Sequence, residues 1–476
     1  MIQPALRTAA LALLLAASAI AAAQAPGAPP PPPLPPIGPM VPPQVAALRD
    51  AALDHDTYAM DIVEGLTTEV GQRAAGTEAE ARARDWSVAR LRAMGFSNVR
   101  AEPYDMPVWV RGPESAEIVA PFPQRLVVAA LGKSASTGPA GVTGEVVAFD
   151  SVDDLRRAPD AAVRGKIVFV DHRMPANQDG SGYGQFGAPR RQGPTAASLK
   201  GALAIVVRSI GTDHHRNPHV GFMAFSDGAK PIPAGALTVP DAEQLTRVLK
   251  RGKPVIIHLH LESRAIASAP SGNVIAEVPG RDPSLAPILV GGHLDSWDQG
   301  TGAIDDGTGI AIAAAAAKRI MDAGRPLRTI RVVWFGAEET GGFGARDYFA
   351  RHGKEAHWAV AESDFGADRI WKVVSKLGAA RIEEARTLGV ALAPLGIVTG
   401  AFDEADGSDL GQLIEAGAPA VAFNQDGTRY FDIHHTPDDT LDKIDPAQLR
   451  QNVAAWTAML AVLSGGITEP KRVSRR

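Results

Sequence analysis

The sequence predicts an α/β protein: a mostly parallel central sheet flanked by helices, with a mainly β unit inserted before its second half. Three observations carry this. After Gly272, strand-like and helix-like segments alternate, the pattern of a parallel sheet crossed by helices. From about 115 to 267 the texture changes to short β-like runs broken by Gly and Pro. The His, Asp and Glu motifs beyond Gly272 fall just past predicted strands or at a helix start, where open parallel sheets bind their ligands.

Taken in order, Arg7 precedes an apolar run, Ala9 to Ala23, that closes on Ala21-Ala22-Ala23-Gln24. A positive start, an apolar stretch and small residues at the cut make residues 1–23 a signal peptide. The run is shorter than the ~20 residues of a spanning helix. The expectation is export, periplasmic or secreted, with no membrane span after cleavage. Residues 24–43 form a Pro-rich linker, unbroken from Pro29 to Pro33. Residues 44–114 open the main domain with helices near 44–69 and 77–94 and a strand near 98–109. The second helix carries Trp86, Val88, Leu91 and Met94 at helical spacing before Gly95.

The inserted unit, 115–267, offers strand-like runs at 144–149, 166–170, 204–207 and 255–261, with helices near 193–201 and 241–251. The main domain resumes over 268–467, ahead of a tail, 468–476. Its strands are expected at 273–278, 288–291, 329–335, 358–362 and 420–423. Its helices are expected near 307–323, 343–351, 379–389, 408–416 and 446–464.

The chain has 476 residues, too many for one ordinary core. Hydrophobic residues are 45% and charged residues 21%, the balance of a soluble globular protein. A net charge of −5 gives no electrostatic case for nucleic acid or an anionic membrane. The absence of cysteine removes thiolate ligands and a Cys nucleophile, so any metal is held by His and carboxylates.

Those groups have a pattern. His293-Leu294-Asp295 follows the 288–291 strand, and Asp305-Asp306-Gly307 opens a helix. Glu338-Glu339, Asp364 and His434-His435-Thr436-Pro437 lie past three further strands. Imidazoles and carboxylates without sulfur suit zinc or another divalent ion. Two ions can share one bridging carboxylate, activating water while a carboxylate that binds no metal takes its proton. Either Glu338 or Glu339 suits that last role, and spacing alone does not choose.

His293-x-Asp295-Ser296, Gly302-Ala-Ile-Asp305-Asp306-Gly307, Ala337-Glu338-Glu339, Glu362-Ser363-Asp364 and His435-Thr-Pro-x-Asp439-Thr together resemble the di-zinc aminopeptidase family of metallo-exopeptidases. Pro107-Val-Trp109-Val-Arg111-Gly112 and Trp297-Asp298 bring the chain nearest to its plasma glutamate carboxypeptidase (carboxypeptidase Q) branch. The resemblance spans about 44–467 and makes the inserted unit similar to a protease-associated domain. It implies a zinc-exopeptidase fold and two zinc ions, with cobalt or manganese as substitutes. His293 and Asp364 would bind one ion, Glu339 and His435 the other, with Asp305 bridging. Glu338 would be the general base for a metal-activated hydroxide, and Asp295 would hydrogen-bond His293 and fix its tautomer. A cis peptide would join Asp305 and Asp306. The implied substrates are dipeptides or short peptides with a free amino terminus, cut at the amino-terminal bond, and a homodimer is compatible with it. The inserted unit would stand over the mouth of the site. A single-zinc cyclase on the same fold and a non-catalytic receptor are the alternatives, and both fit less well with five ligands and Glu338 retained.

Other residues carry plainer readings. Asp306 reads as a helix cap. His434 is the alternative ligand to its neighbour His435, which is favoured because it stands immediately before Thr-Pro-x-Asp-Thr; otherwise His434 contacts substrate or faces solvent. His258 and His260 share one face of a strand and read as exposed. His214, His215 and His219 read as a solvated turn around Asn217-Pro218. Ser408-Asp409 either caps a helix or borders the substrate.

Overall fold

The computed structural model describes residues 41–226 and 228–468. The expected signal peptide, the linker up to residue 40 and the tail beyond Thr468 lie outside the described residues.

The centre of the molecule is a sheet whose strands follow the order Val398–Thr399, Ile370–Lys376, Ala420–Gln425, Ala359–Glu362, Ile288–His293, Ile330–Phe335 and Ile256–Val278. Ile288–His293 is parallel to both neighbours, with His293 beside Phe335 on one side and Gly291 beside Glu362 on the other. Three chain segments therefore leave the sheet at one edge, carrying the His293, Glu338–Glu339 and Asp364 motifs.

Alternation sends Ile288 and Val290 to one face and Leu289 to the other. The first face is covered by helix Thr308–Ala323, in which every residue from Thr308 to Ala317 is buried. Its alanines favour helix and allow close approach to helix Pro446–Leu463. That second helix begins with Asp445, whose carboxylate accepts from the amides of Ala447 (2.8 Å) and Gln448 (3.2 Å), and with Pro446 at its first position. Tyr348, Leu410 and Leu413 pack on the opposite face. Among the described residues no helix is long and apolar enough to cross a membrane.

Three expectations change. The helix expected over 44–69 is two, Pro43–His55 and Tyr58–Glu69. Asp56 breaks it with extended backbone, accepts the Ala59 amide (3.1 Å) and pairs with Arg319 (2.6 Å). The runs expected at 255–261 and 273–278 belong to one 23-residue strand, Ile256–Val278, paired antiparallel with Ser97–Ala120 from Glu277 to Ile256. Pro270 in this strand and Pro107 in its partner hid the continuity of the pair, although a two-stranded ribbon has outer edges that need no N–H. The inserted unit holds more helix than expected. Its strands Val142–Phe149, Ile167–Val170, Ala204–Arg208 and Ala234–Leu237 run parallel in that order. Helices such as Val152–Arg157 and Gly193–Leu199 cross between them. The two long strands join this layer and the main sheet into one fourteen-stranded sheet.

Candidate metal centre

Side chains from four loops meet beyond the strand ends. His293 donates from Nδ1 to the Asp295 carbonyl at 2.9 Å. Its Nε2 lies 3.1 Å from Asp305 Oδ1 and 3.4 Å from Asp364 Oδ1. His435 donates from Nδ1 to the Val220 carbonyl at 3.1 Å. Its Nε2 lies 3.1 Å from Asp305 Oδ2 and 2.9 Å from Glu339 Oε2. A carbonyl only accepts, so each Nδ1 carries a proton and Nε2 is the nitrogen that each ring turns toward carboxylate oxygens. With several carboxylate oxygens converging on two imidazole Nε2 atoms, the cluster calls for positive charge at its centre. Asp305 Oδ2 and Glu339 Oε1 are also buried without a hydrogen-bond donor. Imidazole nitrogen and carboxylate oxygen without sulfur is a donor set that zinc accepts, so the residues present fit the ion.

The loops are held by residues behind the cluster. Asp439 accepts the amides of Ile304 (2.6 Å) and Asp305 (3.2 Å), setting the direction of the Asp305 side chain. Buried Arg73 donates to the carbonyls of Leu294 (2.5 Å), Thr301 (2.5 Å) and Gly302 (2.7 Å), tying the His293 loop to the Asp305 loop. The Asp305–Asp306 peptide is cis. Asp306 accepts the amides of His293 (2.9 Å) and Gly309 (3.1 Å), so both its oxygens serve the backbone as a cap. Ala337 (φ 58°) and His435 (φ 57°) adopt left-handed backbone, strain of order 1–3 kcal/mol each that surrounding structure must hold. At Ala337 this turn presents Glu338 and Glu339 in succession.

The Asp295 expectation is corrected in part. Its main-chain carbonyl, not its carboxylate, takes the His293 hydrogen bond, and Oδ1 lies 3.6 Å from the ring. The carboxylate is drawn instead to the Glu338 amide at 3.0 Å.

His219 is also corrected. It is 1% exposed, its Nε2 meets His434 Nδ1 at 2.9 Å, and its ring stacks on His435. The apolar run Val220-Gly221-Phe222-Met223 after it was the signal of burial. His434 itself reaches Asp305 Oδ2 at 3.2 Å, so both neighbouring histidines face the cluster. His214 and His215 are exposed as expected. His258 and His260 point outward as expected, bonded to Thr143 (2.8 Å) and Glu262 (2.9 Å). Ser408-Asp409 caps no helix, since the helix begins at Gly411. The amides of Asp409 (3.0 Å) and Leu410 (2.9 Å) donate to Glu362, and Ser408 lines the cleft.

The cluster opens into a cleft of about 380 Å³ lined by Glu338, Glu339 and His435 with Tyr183, Arg190 and Phe222 of the inserted unit. The inserted unit thus forms a wall of the site, as expected. A second cavity of about 430 Å³ shares Asp364, Phe365 and Ser408 with the cleft and adds Asp179, Glu362 and Asp406. Burial, and then Asp364, push Glu338 up to about 8, and burial with Asp364 pushes Glu362 up to about 7.

Residues 273–460 match Peptidase family M28. Carboxypeptidase Q of Mus musculus and that of Homo sapiens are each 35% identical over 405 residues, covering 84% of this chain and 84% of their own. Among solved structures, a peptidase M28 precursor from Shewanella amazonensis is 43% identical with a TM-score of 0.86, covering 90% of this chain and 97% of its own. A zinc aminopeptidase from Bacillus subtilis superposes with a TM-score of 0.61 at 19% identity, covering 85% of this chain and 94% of its own, a likeness of fold. Identity sustained across both the main domain and the insertion leaves one assignment: the chain belongs to peptidase family M28, in the carboxypeptidase Q branch.

Proposed function

We propose that the protein is an exopeptidase that uses two zinc ions to remove the amino-terminal residue of short peptides. One observation carries the reading: Asp305 turns Oδ1 toward His293 and Oδ2 toward His435, the disposition of a carboxylate shared by two cations. In this reading His293 and Asp364 would hold one ion, Glu339 and His435 would hold the other, and Asp305 would be shared between them. Cobalt or manganese substitutes. The amino-terminal sequence supports export to the periplasm or beyond.

Zinc held there supplies Lewis acidity, polarising the scissile carbonyl and lowering the pKa of water. The chain's own residues do the rest. Glu338, which binds neither ion in this reading, takes the proton of the attacking water. As the new C–O bond forms and the C–N bond breaks, it returns that proton to the departing amine. Asp295 and the turn at Ala337 fix where its carboxylate stands. The acidic second cavity, with Asp179, Glu362 and Asp406, suits a cationic amino terminus. The relatives are named for opposite ends of a peptide, carboxypeptidase and aminopeptidase. In a dipeptide the one bond answers both names.

The test is substrate polarity. Free dipeptides are cleaved in a chelator-sensitive reaction, and N-acetylation lowers kcat/KM about tenfold to over a hundredfold, the loss of one charged hydrogen bond worth about 1.5–3 kcal/mol. Equal kcat/KM for blocked and free peptides would contradict amino-terminal recognition.

A further inference from the structure

The loop that presents Glu338 and Glu339 is held at its neck by a side chain that lies behind the metal cluster. The loop leaves strand Ile330–Phe335 at Gly336 and ends at Gly344, in the first turn of helix Phe343–His352. Its ends touch: the Gly344 amide donates to the Gly336 carbonyl at 2.9 Å, and the Phe343 amide to the Ala337 carbonyl at 3.1 Å. One carboxamide spans both ends. Asn273 Oδ1 accepts from the Gly336 amide at 3.0 Å, and Asn273 Nδ2 donates to the Gly344 carbonyl at 3.0 Å. The partners fix which way the carboxamide faces, since an amide N–H needs an acceptor and a carbonyl a donor. Asn273 is 0% exposed, so neither bond competes with water.

The sheet explains why a side chain is needed there. The ladder between Ile256–Val278 and Ile330–Phe335 runs from Val278 opposite Ile330 to Val274 opposite Trp334. Asn273 is the next residue of its strand, and its side chain takes the amide that the ladder no longer reaches. A buried N–H left without an acceptor is costly. The neck is also too tight for side chains on its glycines. A Cβ on Gly344 would collide with the Gly336 carbonyl and with Asn273 Oδ1. A Cβ on Gly336 would fall 2.6 Å from the Gly272 carbonyl oxygen and 2.9 Å from the Tyr104 hydroxyl. That hydroxyl donates to the Gly336 carbonyl at 2.7 Å. Within the loop, the amides of Gly341 and Gly342 each donate to the Glu338 carbonyl at 2.9 Å. The left-handed backbone of Ala337 (φ 58°) is therefore enclosed between the neck and this inner turn, as a strained residue requires.

We propose that Asn273 is a positioning residue for both glutamates: its carboxamide closes the neck of the Gly336–Gly344 loop and so holds Glu338 in place as proton acceptor and Glu339 against His435. This rests on the exopeptidase reading, in which those glutamates are the base and a metal ligand. Other side chains of similar size do not serve. A carboxylate would set an oxygen against the Gly344 carbonyl, and an apolar group would leave the Gly336 amide unpaired.

The experiment compares Asn273→Asp and Asn273→Ala with the wild type, zinc-loaded, on a free dipeptide. Both variants lose about ten- to a hundredfold in kcat, the cost of slightly misplaced reacting groups, with KM little changed. Competition against a chelator shows zinc held about tenfold or more less tightly, as for partners behind metal ligands. Leu460→Ala, buried in helix Pro446–Leu463, is the control: it lowers the melting temperature and leaves kcat unchanged. A folded Asn273→Ala enzyme with wild-type kcat and zinc affinity overturns the proposal. So does an equal fall of kcat in Leu460→Ala, because activity would then follow stability alone. If neither Asn273 variant folds, hydrogen exchange in the wild type decides. The Gly336 amide exchanges slowly, and exchange at the rate of an open loop overturns the proposal. A wild type without chelator-sensitive hydrolysis of dipeptides sinks the exopeptidase reading instead, while zinc affinity and Gly336 exchange still judge the hold on the loop.

Discussion

Arg111 grips Asp298 with two nitrogens, Nε to Oδ2 at 2.9 Å and Nη2 to Oδ1 at 3.1 Å. The two residues come from separate segments that mark the carboxypeptidase Q branch in the sequence, and the structure joins them. The contact ties the long strand Ser97–Ala120 to the loop after His293, where the Trp297 ring stands edge-on to His435 with centroids 5.4 Å apart. Arg111 also donates to the Ala130 carbonyl at 2.6 Å, so one guanidinium holds the ribbon, the inserted layer and the site loop.

Asp298→Ala is expected to destabilise the fold by about 1.5–3 kcal/mol, the worth of hydrogen bonds to a charged group. Arg111 is mostly buried and would keep only Glu114 as its acidic partner. Urea unfolding of the two proteins under identical zinc loading measures this. An unchanged midpoint would show that the pair carries no stability.

Glu338→Gln is expected to keep its zinc and lose roughly a hundred- to ten-thousand-fold in kcat, the range for removing a general base. Glu339→Gln is expected to lose zinc as well as activity, because its Oε2 faces His435 at 2.9 Å. Turnover measured alongside zinc content separates the two glutamates. Near-wild-type turnover in Glu338→Gln would assign the base elsewhere.

Asp439→Asn is expected to weaken zinc binding about 10- to 100-fold, as for partners behind metal ligands. The amide would set an NH₂ donor against one of two backbone donors, Ile304 N or Asp305 N, that both carboxylate oxygens now accept. Competition against a chelator of known affinity reads the change. Wild-type affinity would mean that the Asp305 loop holds its shape unaided.

Much of this architecture was legible in the sequence. The strand Ile288–His293 announced itself as a short apolar run, and the alanines of Thr308–Ala323 as a helix, so the edge of the sheet where the motifs gather was legible too. Ile370–Lys376 escaped notice because its lysines and serine blur an apolar run. The site residues that escaped share a different cause. Arg73 meets Leu294 across 221 residues of chain, and His219 meets His434 across 215. No local pattern names the distant partner of such a residue. His219 was read as part of a polar turn because Asp213 to Asn217 before it are polar, although the apolar run from Val220 after it marked the burial that His434 and His435 complete. Asp295 was placed correctly near His293, yet which of its oxygens bonds the ring depends on the Glu338 amide, which arrives from another strand.

The measurement that tests the central claim most directly is the zinc content of the purified, zinc-replete protein by elemental analysis, beside that of His435→Ala. The account predicts two zinc ions per chain in the wild type and about one in the variant, because His435 and Glu339 serve one ion while His293 and Asp364 serve the other. A single zinc ion in the wild type, or an unchanged content in His435→Ala, would contradict it.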